Sequence, residues 1–475
     1  MELNYLKRNK ALITLLMSAT LLTACSTRPD NTQQWLAGDH HIHSRFSTGW
    51  DLTKVPPAPI LGGDAIYSTQ KNAEMARKFG LSWMVTTDHG GPNHSKLNKE
   101  LAYPELLDSR QTVPEVIQFY GMELNTPAGE HNSLIIPFSA DEADVLERLE
   151  STFDRLEAFP KDPARDTELR MLEALEVMKE LKKQPVVIAN HPSRTADAYG
   201  SYGLVEPAEF RHWNDTAPNI AIGMEGAPGH QIMGRSNNPK IPEQYRARGA
   251  YGKFPTMGGF DQMTAVVGGF WDSMLGEGRR WWITANSDSH IHISDGGIDL
   301  WPGEYSKTYV YAQKSHESIL ENLRAGKMFV TTGDLINALD FTISTTDQSA
   351  MIGEQLIVDR GSEITVTLRY SDPQTDNANG DNPQVKRVDV IAGSIAGPVD
   401  DPDSFENPTT SVIKRFVGTG EPNDGLTFTV KVDEPTYFRI RGTNTDELEP
   451  EKDAKSENPW TDLWFYSNPI FVMTR

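Results

Sequence analysis

Short apolar runs ending in polar clusters recur through the first two thirds of the chain. They are "LSWMVTTDHG" (81–90), "VIQFYGMELN" (116–125), "HNSLIIPF" (131–138), "QPVVIANHPSR" (184–194), "IAIGMEG" (220–226) and "RWWITANSDSHIH" (280–292). Helical periodicity lies between them: "DAIYSTQKNAEMARKFG" (64–80), closed by Gly80, and two long helices through 141–159 and 166–183. Strands alternating with helices predict an α/β domain with parallel strands, and polar clusters at strand ends are what a βα barrel presents at its C-terminal face. Residues 195–280 are rich in Gly, Pro, Asn and Trp, and outside the short run at 220–226 they predict long loops around a site. Beyond residue 330 the period drops to two in "LDFTIST", "EITVTLRYSD", "VKRVDVIAGS", "LTFTVKVDE" and "TYFRIRGTN", which predicts a small C-terminal antiparallel β-sandwich over 331–475. The acidic stretches 372–384 and 444–459 lack EF-hand spacing and are read as surface loops.

The first 24 residues have a different character. Lys7, Arg8 and Lys10 precede a short apolar run ending at "LTAC", a signal-peptide pattern too short to span a bilayer. "LTAC" resembles the lipobox of bacterial lipoproteins, which would make Cys25 the lipidated mature N-terminus and 25–37 a polar tether. Cys25 is the single cysteine of the 475-residue chain, so no disulfide framework competes for it. Ser26 follows where an Asp would suggest inner-membrane retention. The expectation is a cell-envelope lipoprotein at the outer membrane facing the periplasm, held by its lipid, with no transmembrane helix in the mature chain. The net charge of −21 argues against nucleic acid as partner, because phosphate backbones select basic surfaces. Small phosphorylated molecules bound at a metal remain compatible with it.

The strand-end clusters hold the candidate chemistry: His41 and His43, Asp88 and His89, Glu123, His131, His191, then Asp288 and His290. Imidazole and carboxylate ligate zinc, manganese or iron. A lone H-x-H would read as two surface histidines; its repetition as D-S-H, and after successive apolar runs, favours a metal centre. His41 and His43 share one strand face. His40, one position off, is expected on the opposite face in a structural role. Arg194 suits a substrate oxyanion, though a surface ion pair is an equal alternative. Arg45 and Lys54 are weaker candidates of that kind, and His292 continues the alternation of "DSHIH" toward substrate. Glu225 ends its strand, where it would bind substrate or a neighbouring arginine, and Trp281 and Trp282 read as core.

In order and spacing, "DHHIHS", "TTDHG", "GMELN" with "GEHNSLII", "ANHPSR" and "NSDSH" resemble the motifs of the polymerase and histidinol phosphatase (PHP) superfamily over residues 38–292. The resemblance implies a distorted seven-stranded (β/α) barrel over 38–330. It implies metal ligation by His41, His43, His89, Glu123, His131, His191, Asp288 and His290, with Glu123 bridging and Asp88 orienting the site from behind the ligands. Arg194 joins Glu123 and Asp88 as a catalytic candidate and, with Arg45 and His292, is a substrate-binding one. The segments 317–334 and "WFYSNPIFV" look like the carbaryl-hydrolase-like (CehA/McbA-type) branch. Where the family commonly has a further ligand, this chain has Thr48, so either Asp51 swings in or one ion is held weakly. Two divalent ions, zinc, manganese or iron, are expected rather than three. The implied activity is hydrolysis of a small organic phosphate ester by a metal-bound hydroxide. The alternatives are carboxylic ester or carbamate hydrolysis at the same centre, or a non-catalytic metal-binding lipoprotein.

Overall fold

The computed structural model describes residues 32–229, 251, 253–418, 425–454 and 457–475. The expected leader, Cys25 and part of the 195–280 segment lie outside the described residues. Seven strands follow one another in sequence order across a curved sheet: β1 (Gln34–Ile42), β2 (Trp83–Thr86), β3 (Ile117–Asn125), β4 (His131–Ile136), β5 (Val186–Ala189), β6 (Ala221–Pro228) and β7 (Trp282–Asn286). The pairs β1–β2, β2–β3, β5–β6 and β6–β7 are parallel, while β4 runs antiparallel to both neighbours. The strands read as continuous apolar runs because both faces are covered. Gly38 in β1 is one condition of that packing, since a Cβ there would lie 1.8 Å from the Trp83 indole.

The expected barrel is not closed. Strands β7 and β1 share a single bridge, Ile42 to Ser289, supported by the His43 N–H donating to the Ser289 carbonyl at 2.9 Å. Side chains satisfy the rest of the β7 edge. Thr308 bonds both backbone groups of Ala285, and Asn468 bonds both of Ile283. The other edge of β1 continues into β8 (Ser306–Ala312) and β9 (Met328–Thr332), both antiparallel additions.

The C-terminal region also departs from expectation. Four strands form a separate antiparallel sheet in the order Ser349–Met351, Ala338–Ser344, Ser362–Ser371, Leu426–Val432. The remaining strands extend the main sheet instead. Trp464–Ser467 pairs with β9, followed by Thr436–Thr443, Ile470–Thr474 and Gln355–Val358, with Arg387–Ser394 branching from Thr436–Thr443. Period-two patterning cannot distinguish a free-standing sheet from one that continues a neighbour. One buried cluster joins Phe341, Ile343 and Val366 of the small sheet to Val388, Ile440 and Phe465 of the large one, and Thr32–Arg475 is one compact unit.

The first predicted helix forms over Thr69–Lys78, with the Ser68 hydroxyl accepting from Lys71 N and Gly80 at φ +80° beyond its end. The helix expected through 141–159 ends at Phe153, because the Asp154 carboxylate turns to accept the Asn125 amides at the end of β3. Residues 195–280 are not all loop. A helix over Pro207–Thr216 begins with Pro207 and a reciprocal Glu206–Glu209 capping box, and a short one spans Phe270–Gly276. Trp281 and Trp282 are buried in the core. Among the described residues, no helix is long and apolar enough to cross a membrane.

Candidate metal centre

The strand ends converge on Glu123, at the end of β3. Its Oε1 lies 3.0 Å from His131 Nδ1, 3.1 Å from His191 Nε2 and 3.2 Å from His41 Nε2, and its Oε2 lies 3.0 Å from His89 Nδ1 and 3.3 Å from His43 Nε2. Asp288 Oδ1 stands 3.1 Å and 3.2 Å from the Nε2 atoms of His41 and His43. The His290 ring stacks on His43 with centroids 3.7 Å apart. Ligand atoms close to within 4.8 Å of one another in three sets: His41, His43, Glu123 and Asp288; His89, Glu123 and His131; and His43, Asp64, His89 and His290. His191 adjoins the first two through Glu123. All eight residues singled out in the sequence as ligands are thus brought together.

The donor set fits divalent cations. Glu123 Oε2 is buried and makes no hydrogen bond although two ring nitrogens face it, an arrangement that costs free energy unless a cation collects those lone pairs. His41 Nδ1 meets Glu225 Oε1 at 2.7 Å, which fixes the proton on Nδ1 and turns the Nε2 lone pair inward. Glu225 also accepts the backbone N–H of His191 through its other oxygen, so one carboxylate braces two candidate ligands. His191 and Asp288 have φ of +29° and +46°, a region unfavourable for non-glycine residues, and such strain collects at functional sites.

Asp64, not singled out in the sequence, joins the set with His43, His89 and His290. Read as the start of a helical segment, it instead sits before that helix, accepts the Ser47 hydroxyl at 2.7 Å and places Oδ2 3.4 Å from His290 Nε2. Asp64, rather than the expected Asp51, is the additional carboxylate beside His89 and His290. Asp51 stays away from the cluster because its carboxylate accepts the Thr53 N–H and hydroxyl in the hairpin Gly49–Asp51/Ala58–Ile60. Only the density of acidic and glycine residues in "GGD" hinted at Asp64.

His40 does not occupy the outer face. A register irregularity between Asp39 and Ile42 breaks the alternation, and its ring crosses the inside of the sheet to Ser133 of β4 and Thr284 of β7. Asp88 lies behind the ligands, accepting the Ser44 N–H and hydroxyl. Arg194 lines the cavity in front of the cluster and pairs with Glu130. Arg45 pairs with Glu105 and does not line the cavity, and Lys54 is exposed. His292 is turned from the cavity: Glu304 and Ser294 hold its nitrogens, and Trp301 stacks on its ring. The cavity, about 540 Å³, is otherwise walled by Ile291, Gly296, Gly297, Ile298 and Asp299.

Burial would raise the Glu123 carboxyl, but His89, His41 and His131 overcome it and hold it well below the usual range. Burial would lower His43, yet the Asp288 and Glu123 carboxylates beside its ring raise it to about 9; His41, also opposed by burial, is raised well above its usual value by Asp288, Glu123 and Glu225. The metal-free site therefore holds protons near neutrality where a cation would bind. Because the His43 value lies above neutral pH, raising the pH toward it removes a competing proton. Apparent Zn²⁺ or Mn²⁺ affinity should rise about tenfold or more per pH unit between pH 6 and 8. A titration showing pH-independent affinity would count against this cluster as the binding site.

No family model and no curated protein matches the chain. Among solved structures it is similar to a chitin-binding domain from Burkholderia pseudomallei, with 11% identity over 26% of this chain and 57% of that one, at a TM-score of 0.16. It is also similar to Endonuclease Q in complex with a 27-mer duplex containing an abasic lesion, with 12% identity, 62% and 56% coverage and a TM-score of 0.33. For the lesion-specific endonuclease PfuEndoQ from Pyrococcus furiosus the figures are 14%, 62% and 56%, and 0.32. The chain thus spans just over half the length of each of these, and at such TM-scores the likenesses carry no argument about fold or function.

Proposed function

We propose that the chain is a metal-dependent hydrolase of the PHP type, acting on small organic phosphate esters. The observation that carries this reading is the Glu123 carboxylate surrounded by five imidazoles, with one buried oxygen making no hydrogen bond. His41, His43, Glu123 and Asp288 would hold one ion. A second would be held by His89, Glu123 and His131, or by the set that Asp64 and His290 complete. Two divalent ions, when bound, lower the pKa of water and polarise the ester oxygen of the bond being cleaved. The chain's own residues do the rest: Glu225 fixes the His41 tautomer, Ser47 and Asp88 hold the first loop in place, and Arg194 offers a guanidinium on the cavity wall to an anionic substrate. The cavity volume suits a small molecule.

The cationic wall residue, Arg194, favours a phosphate ester over a neutral carboxylic ester or carbamate, which the same centre could also hydrolyse. Metal analysis with a panel of phosphomonoesters, phosphodiesters and carboxylic esters tests the reading. About two metal equivalents and preferential phosphomonoester turnover, with KM raised several-fold in Arg194→Ala, are expected. Turnover of carboxylic esters alone would replace it with the second reading, and absence of bound metal would remove both. Lipidation at Cys25 and an outer-membrane location remain part of the proposal and rest on the leader sequence.

A further inference from the structure

Beneath the candidate ligands lies a chain of polar side chains that none of the ligand assignments uses. The Ser133 N–H and hydroxyl both meet Asn190 Oδ1, at 3.0 and 2.9 Å. A backbone N–H can only donate, so Oδ1 must face Ser133 and the Asn190 NH₂ must face the other way, where Glu123 Oε1 lies at 3.0 Å. The Ser133 hydroxyl proton goes to the same Oδ1, which leaves Ser133 Oγ an acceptor toward His40 Nδ1 at 3.1 Å. His40 then carries its proton on Nδ1. Its Nε2 accepts from the Thr284 hydroxyl at 2.8 Å, shorter than that hydroxyl's alternative acceptor, the Met224 carbonyl at 3.4 Å.

We infer that His40 is a positioning residue, the head of a one-way hydrogen-bond relay from Thr284 through His40, Ser133 and Asn190 to Glu123. Each donor passes to the next acceptor, and the last bond lands on Oε1. Together with His131 and His191, which lie 3.0 and 3.1 Å from the same atom, that bond ties Oε1 and leaves Oε2 without a hydrogen bond. The relay thereby helps to decide which oxygen of Glu123 is presented between His43 and His89. Its geometry depends on the irregularity in β1 that turns His40 inward, and all its side chains are buried. The inference rests on the metal-centre reading for its consequence, and on hydrogen-bond direction alone for its existence.

The two parts separate experimentally. Nitrogen-15 imidazole spectra of the metal-free wild-type protein, with His40 assigned by comparison with His40→Gln, should show protonated Nδ1 and unprotonated Nε2 at His40. Finding the proton on Nε2 overturns the relay whatever the metal does. Co²⁺ titrations of His40→Leu, Ser133→Ala and the double variant should each show affinity reduced about tenfold to a hundredfold, with the double no worse than the worse single. Turnover should fall through kcat with KM nearly unchanged. Additive losses of Co²⁺ affinity, or losses that follow thermal stability alone, would reduce His40 to a packing residue and overturn the inference. Should His40→Leu fail to fold, Ser133→Ala with Asn190→Ala forms the same cycle lower in the chain. Failure of wild-type protein to bind Co²⁺ with the Nδ1 tautomer intact would sink the metal reading and, with it, the consequence inferred for Glu123.

Discussion

On the proposed function, His41→Ala is expected to remove about one equivalent of divalent metal and to lower turnover by several orders of magnitude, because the attacking water would depend on the ion that His41 would help to hold. Its Nε2 lies within 3.2 Å of Glu123 and Asp288, and Glu225 holds its Nδ1 at 2.7 Å. His43→Ala should behave alike. His40→Asn, one residue away, should keep both metal equivalents at saturating metal and lose some stability. Equilibrium dialysis of the three variants against saturating metal checks the contrast. Loss of metal from His40→Asn with retention in His41→Ala would show that the wrong histidines of "DHHIHS" have been assigned to the ion.

A chain truncated near residue 345 is expected not to fold. Removing Trp464–Ser467 bares the edge of β9, removing Asn468 leaves both backbone groups of Ile283 unpaired, and removing Thr436–Thr443 leaves Asp272 buried without its partner. Arg439 donates to both oxygens of Asp272 at 2.8 and 2.6 Å and lies over the Trp271 ring, with both charged groups fully buried. Breaking one side of such a pair costs about 3–5 kcal/mol. Asp272→Ala in the full chain should therefore lower the unfolding midpoint by several degrees, without altering metal stoichiometry in the fraction that remains folded. A soluble, cooperatively unfolding 1–345 fragment would show that the C-terminal strands are an appendage.

The strand-end residues were legible because an apolar run followed by His, Asp or Glu is a local pattern, repeated often enough to stand out. Asp64 was not legible, since it reaches the cluster from a loop whose path depends on the Gly49–Asp51 hairpin and on Ser47. Glu225 was seen, but its partner was not. Only the fold sets it behind His41 and under the His191 backbone. Strand alternation misplaced His40 because a bulge shifts the period by one residue, and no residue in "GDHHIHS" announces it. The helix at Pro207–Thr216 carried a readable signal, Glu-Pro followed by Glu at the reciprocal capping position, hidden among glycines and tryptophans. The merging of the C-terminal strands with the main sheet is a matter of which edges meet, and edges leave little trace in a linear pattern.

Asn468 bonding the backbone of Ile283 has a consequence for the order of events as the chain is made. The candidate ligands, from His41 to His290, all emerge from the ribosome more than 170 residues before Asn468 does. Until then the edge of β7 lacks that partner, and the turn carrying Asp288 follows an unfinished strand. Completion of the strand beside the centre is therefore a late event, reached only when Asn468 has been synthesised and folded back. A cation held by the fully paired site would therefore be one that is present after the chain has been made through Asn468, wherever that folding is completed.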